Sequence, residues 1–133
     1  MTCRGLRQED ILALAEKATE SLKNAIAPYS GFRVGAAILS SDGRVFTGAN
    51  IENYSLTLVA CAERVALFKA LSEGAREFKA IAIACHTGDY CYPCGICRQA
   101  LYEFAPEIKV MLVSEKGIKM PSIKELLPFP FVK

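Results

Sequence analysis

Five consecutive apolar residues, Ala80-Ile81-Ala82-Ile83-Ala84, constrain this chain more than any other stretch. Side chains of a strand alternate between the two faces of a sheet, so a strand with no polar position has no face to give to water. The run therefore suits a strand buried on both faces, and the rest of the chain must supply the covers.

Helical periodicity supplies them. Ile11, Ala15, Ala18, Leu22 and Ile26 recur at helical spacing opposite Glu16, Lys17, Glu20 and Lys23, which predicts an amphipathic helix ending at Pro28. Phe32 to Leu39 and Val45 to Ile51 read as strands. Between them, Ser40-Ser41-Asp42-Gly43 carries the Asp-Gly hairpin signal. A second helix is expected from about Ala62 to Leu71, with Gly74 as its cap. A third follows Pro93 to Gly95, places Cys97, Leu101 and Phe104 on one face, and stops at Pro106. Lys109 to Val113 reads as a strand, a short one surrounds Ile118, and Ser122 to Leu126 reads as one helical turn. Alternating helices and buried strands imply a single sheet covered by helices, and the hairpin makes that sheet mixed. The expectation is one domain over residues 1–133, with no repeat and no linker.

The chain has 133 residues, 52% apolar and 23% charged, which is globular composition rather than disorder. Sixteen basic and 14 acidic side chains leave a net charge of +2, and the lysines and arginines are scattered. A nucleic-acid polymer binder wants a basic stripe, so the balance favours a small, roughly neutral partner. No segment approaches the ~18 apolar residues of a membrane span. Met1 to Asp10 has no apolar core, which argues against a signal or transit peptide and makes a reducing cytoplasm the default. The six cysteines lie at about half the density of a disulfide scaffold. In a reducing compartment thiols point to metal, redox or catalytic work.

Three motifs converge on such work. Cys61-Ala62-Glu63-Arg64 opens the second helix, Pro93-Cys94-Gly95-Ile96-Cys97-Arg98-Gln99 opens the third, and Asn50-Ile51-Glu52-Asn53 ends a strand. A helix N-terminus favours a thiolate, and Cys-x-x-Cys lets two sulfurs reach one ion from a single turn. Cys61, Cys94 and Cys97 would then bind Zn²⁺ and leave a fourth position open. Glu63, two residues from a ligand, is placed for proton transfer. Arg64, three residues after Cys61, and Arg98, next to Cys97, could donate to the sulfurs to offset their charge.

Together with Pro28-Tyr29-Ser30-Gly31-Phe32-Arg33-Val34-Gly35-Ala36-Ala37 and Glu125-Leu126-Leu127-Pro128, these motifs resemble the small nucleoside cytidine deaminases with three cysteine zinc ligands. The resemblance covers nearly the whole chain. It implies a three-layer α/β/α fold with a mixed, about five-stranded sheet. It implies hydrolytic deamination of cytidine and deoxycytidine in pyrimidine salvage, with one zinc per subunit and water as second substrate. Glu63 would pass a proton to N3 of the base and then to the leaving amine. Asn50 and Glu52 match positions that hydrogen-bond the ribose, and Phe32 one whose ring packs near the base. Main-chain amides at Ala62 and Cys94 would serve the base or the developing charge. The short members are homotetramers, and Phe131 matches a C-terminal aromatic that reaches a neighbour's substrate. Two departures are visible: Leu56 stands where tyrosine is common, and Phe129-Pro130 replaces small residues after Leu127-Pro128.

Other readings remain open at this level. Cys91 could be a fourth ligand of a closed, structural zinc site, though Glu63 would then have no task. Cys94 and Cys97 could form a redox pair, but they do not follow the first strand of a βαβ pattern. Blasticidin-type deaminases share Cys-Ala-Glu and Pro-Cys-x-x-Cys; polynucleotide editing would want a basic, aromatic channel. Cys3 reads as a terminal thiol, Cys85 as a small buried hydrophobe, and His86, the only histidine, as a surface or loop-capping residue.

Overall fold

A computed structural model describes residues 5–133; Cys3 lies outside the described residues. The elements in chain order are α1 (Gln8–Glu20), β1 (Val34–Ser40), β2 (Val45–Ala49), α2 (Ala62–Ser72), β3 (Phe78–Cys85), α3 (Gly95–Phe104), β4 (Lys109–Ser114), β5 (Gly117–Lys119) and α4 (Ile123–Leu126). The five strands form one sheet in the order β2-β1-β3-β4-β5. β1 is antiparallel to β2 and β3, β3 and β4 are parallel with α3 between them in the chain, and β4 and β5 are antiparallel. The sheet is mixed, as the hairpin required.

The apolar run is the middle of β3, the central strand, and its alternation sorts the layers. Ile81 and Ile83 join Ala36, Ile38, Val110 and Leu112 on the face packed by Ala62, Ala66 and Leu67 of α2, Leu101 of α3 and Ile123 of α4. Ala80, Ala82 and Ala84 join Ala37, Leu39 and Met111 beneath Leu14, Ala15 and Ala18 of α1. Both isoleucines are fully buried, each contributing about 1.5–3 kcal/mol of transfer free energy. The alanines on the other face leave room for a helix to come close. Gly35 of β1 shows how close: a Cβ there would stand 2.2 Å from the Ala18 carbonyl oxygen.

The first helix is shorter than its periodicity predicts. It ends at Glu20 and tightens into a 3₁₀ turn over Ser21–Asn24. Ile26 is extended instead: its N–H donates to the Asn50 carbonyl at 2.9 Å, and its own carbonyl accepts from Glu52 N–H at 2.8 Å. That pairing, with Pro28 two residues on, overrides helical spacing. β1 begins at Val34 rather than Phe32, because Asn50 and His86 side chains take the main-chain groups of Phe32 and Arg33. β2 stops at Ala49, and Ile51 makes only isolated bridges to Ile26 and Ala60. Phe104 does not share the buried face of Cys97 and Leu101; it is the last residue of α3, and the core closes with Ala105 and Ile108. The Ser122 cap of α4 is present, with its hydroxyl accepting from Glu125 N–H at 3.2 Å.

Candidate active site

Cys61 and Cys94 are the N-cap residues of α2 and α3, both with extended backbone. Gly48 sets the position of α2. A Cβ on it would lie 2.6 Å from both the Ala62 carbonyl oxygen and the Ala66 nitrogen, so only glycine lets the helix rest on β2 this closely. Ala60 and Ile51 exchange two main-chain hydrogen bonds of 3.0 Å, which set Cys61 beside the Asn50–Glu52 segment. Arg98 fixes the second cysteine turn from inside. Its Nε donates to the Pro93 carbonyl and its Nη1 to the Leu126 carbonyl, each at 2.7 Å. The expectation that Arg98 serves the sulfurs is not met among the described residues: its Nε and Nη1 donate to carbonyls.

The sulfurs of Cys61, Cys94 and Cys97 lie within 4.8 Å of one another, and those of Cys61 and Cys94 are 3.8 Å apart. Three sulfurs each about 2.3 Å from one tetrahedral ion stand ~3.8 Å apart, so the donor set fits zinc. Cys91 is not part of this cluster among the described residues, which removes the fourth sulfur that a closed structural site would need. Hydrogen bonding with Cys97, then with Arg64 and Cys94, brings the Cys61 thiol down to about 5. Cys97 is driven up by the same bond and by burial. Arg64 donates from Nη2 to the Cys61 sulfur at 3.6 Å and to the Val59 carbonyl at 3.4 Å.

Glu63, in the first turn of α2, is 4% exposed. Burial pushes its carboxyl up to about 7; the nearby Cys61 adds to the rise, and Arg64 opposes it. A cavity of about 320 Å³ gathers Phe32, Asn50, Glu52, Cys61, Ala62, Glu63 and Cys94 on its walls. Ala62 is the first residue of α2, where a backbone N–H has no acceptor within the helix. Asn50 is held on two sides: Oδ1 accepts from Val34 N–H at 2.9 Å, and Nδ2 donates to the Phe32 carbonyl at 2.8 Å. Glu52 accepts from Tyr29 N–H at 2.9 Å, from Ser30 N–H at 3.0 Å and from the Ser30 hydroxyl. The hydroxyl foremost, then the two amides, hold its carboxyl below the ordinary range.

Phe131 stands apart from this cavity. It lines a second one of about 500 Å³ with Gln99, Tyr102 and Val132, and Gln99 bonds both its N–H and its carbonyl. Cys91 and Tyr92 also line the first cavity and were not expected there; burial pushes the Cys91 thiol up to about 12. Ser30 is a third addition, since it links Glu52 to Phe32 N–H. Its signal was only its place in the Pro28–Gly31 turn.

The family model described as "Cytidine and deoxycytidylate deaminase zinc-binding region" matches residues 8–114. The chain belongs to the cytidine and deoxycytidylate deaminase family. It is 48% identical over 120 residues to a cytidine deaminase of Halalkalibacterium halodurans, covering 89% of this chain and 91% of that one. It is 44% identical over 127 residues to one of Sporosarcina psychrophila, covering 94% and 91%. The crystal structure of cytidine deaminase from Burkholderia pseudomallei superposes with a TM-score of 0.85 at 44% identity, over 90% of this chain and 98% of that one. The three-layer deaminase fold and a cysteine cluster suited to zinc are thus features of this family member.

Proposed function

We propose that this chain hydrolytically deaminates cytidine and deoxycytidine to uridine and deoxyuridine, releasing ammonia, in pyrimidine salvage. The observation that carries the reading is a buried carboxyl, Glu63, in the same cavity as a three-sulfur cluster at zinc spacing.

Cys61, Cys94 and Cys97 would hold one zinc per subunit. Zinc supplies Lewis acidity that activates water at neutral pH. Glu63 takes a proton from the attacking water, delivers it to N3 of the base, and carries a proton on to the departing amino group. A carboxyl near 7 suits both directions of transfer. Arg64 offsets the negative charge of the thiolates. Glu52, kept ionised, is acceptor-only and receives a ribose hydroxyl. Asn50 has one N–H and one lone pair beyond its two main-chain bonds, which can serve the sugar as well. Phe32 packs against the base, and the Ala62 N–H serves its polar edge.

Phe131 reads as a group lent to a neighbour's site in a homotetramer. The support is the exposed apolar tail, with Phe129 at 99% and Phe131 at 70% exposure. The net charge of +2, with scattered lysines and arginines, suits a small nucleoside better than a polymer. Among the described residues no helix is long and apolar enough to cross a membrane, and a reducing cytoplasm suits free thiol ligands.

The test is a substrate comparison joined to metal analysis. Cytidine and deoxycytidine should lose absorbance with one zinc bound, and Cys61→Ala, Cys94→Ala and Cys97→Ala should each lose zinc. A faster rate on blasticidin S than on cytidine, or a comparable rate on a cytosine-bearing single strand, would overturn the substrate assignment.

A further inference from the structure

Phe32 walls the cavity, yet it lies outside any strand, so its position depends on what grips the 30–34 segment. We propose that His86 is a positioning residue that fixes Phe32 as a wall of the nucleoside site, an inference that rests on the reading above.

The register explains how. The β1–β3 ladder ends at Val34 opposite Cys85, so the next pair outward is Arg33 and His86. In a hydrogen-bonded antiparallel pair the two residues exchange two main-chain bonds. Here His86 N–H donates to the Arg33 carbonyl at 3.1 Å as expected. The return bond is different: Arg33 N–H donates to Nδ1 of the His86 ring, also at 3.1 Å. The imidazole has taken the place of its own carbonyl. An accepting Nδ1 puts the ring proton on Nε2.

That bond turns the ring toward the preceding residue. Its centroid lies 5.4 Å from that of Phe32, with the planes at 70°, an edge-to-face contact. The other grips on Phe32 act on its main chain: Asn50 Nδ2 holds its carbonyl, and the Ser30 hydroxyl accepts from its N–H at 3.0 Å. Asn50 and Ser30 line the cavity; His86 does not. His86 therefore holds the segment that carries Phe32 through its bond to Arg33 N–H, with its ring packed edge-to-face against Phe32, and takes no part in the chemical step.

Removing it should weaken nucleoside binding and spare turnover. In His86→Ala, KM for cytidine should rise about three- to tenfold with kcat within about twofold of wild type, the scale of one lost hydrogen bond and its ring contact. Zinc content should match wild type. His86→Asn, which keeps an acceptor near the place of Nδ1, should restore most of the affinity; His86→Phe, which keeps only a ring, should not. An unchanged KM in His86→Ala, a kcat that falls as far as KM rises, or Asn no better than Ala would overturn the proposal. Should His86→Ala not fold, the Asn and Phe variants decide it alone, and equal KM values contradict it. Wild-type turnover separates the two levels: no turnover of cytidine sinks the nucleoside reading, whereas normal turnover with an unmoved KM sinks only the role of His86.

Discussion

Two carboxylates line one cavity and are held in opposite conditions. Burial lifts Glu63 to about 7, while hydrogen bonds from Ser30 and Tyr29 keep Glu52 below the ordinary range. Environments that push apart two like groups mark one as the proton carrier and the other as a fixed anion. The pH consequence for Glu52 has a definite sign. Its folded value is depressed, so its cap on the Tyr29–Ser30 turn is complete above the ordinary carboxylate value and is lost as pH falls through the lower folded value. Amide chemical shifts of Tyr29 and Ser30 should stay flat from neutral pH down through the ordinary carboxylate value and move only at lower pH. A midpoint at or above 4.5, the ordinary value, would contradict this. The cysteine cluster was legible because Cys61-Ala62-Glu63 and Cys94-x-x-Cys97 occur together, whereas a lone Cys-x-x-Cys also suits a redox pair or a structural zinc. What Asn50 and His86 bond to was not: their partners Phe32, Val34 and Arg33 lie 16 to 53 residues away, and no local pattern announces them.

At the scale of elements, the site depends on how closely two helix starts approach the sheet. Gly48 sits in β2 with no turn or positive φ to mark it, so its purpose is visible only against Ala62 and Ala66. Gly48→Ala forces a Cβ into the backbone of α2, which carries Cys61 at its cap and Glu63 in its first turn. The variant should lose about 1–3 kcal/mol of stability, as overpacked cores do, and should bind zinc more weakly. Thermal melting with a zinc titration reads both; wild-type values for the two would show that α2 has slack. The same logic explains the error over the first helix. Periodicity through Leu22 and Ile26 is real, but main-chain pairing of Ile26 with Asn50 and Glu52 replaces the helix there. The hairpin, the buried central strand and α2 and α3 were legible, since each carries its signal within its own residues.

At the scale of the whole molecule, three distant stretches of chain meet in one cavity, and the sheet order brings them together. β1 and β2 deliver Phe32 and Asn50 from their ends, and α2 and α3 deliver the sulfurs from their starts. The layering was legible from the alternation of β3, whereas the second cavity under Phe131 was not, because it depends on where the last residues fold back onto Gln99. The central claim is that Glu63 moves the proton while the three cysteines hold the metal. Zinc-loaded wild type and Glu63→Gln, compared for conversion of cytidine to uridine by loss of absorbance, test it most directly. The variant should keep its zinc and lose turnover by about 10²–10⁴-fold, the contribution of a positioned acid–base group. Undiminished turnover in Glu63→Gln with zinc bound would contradict the account.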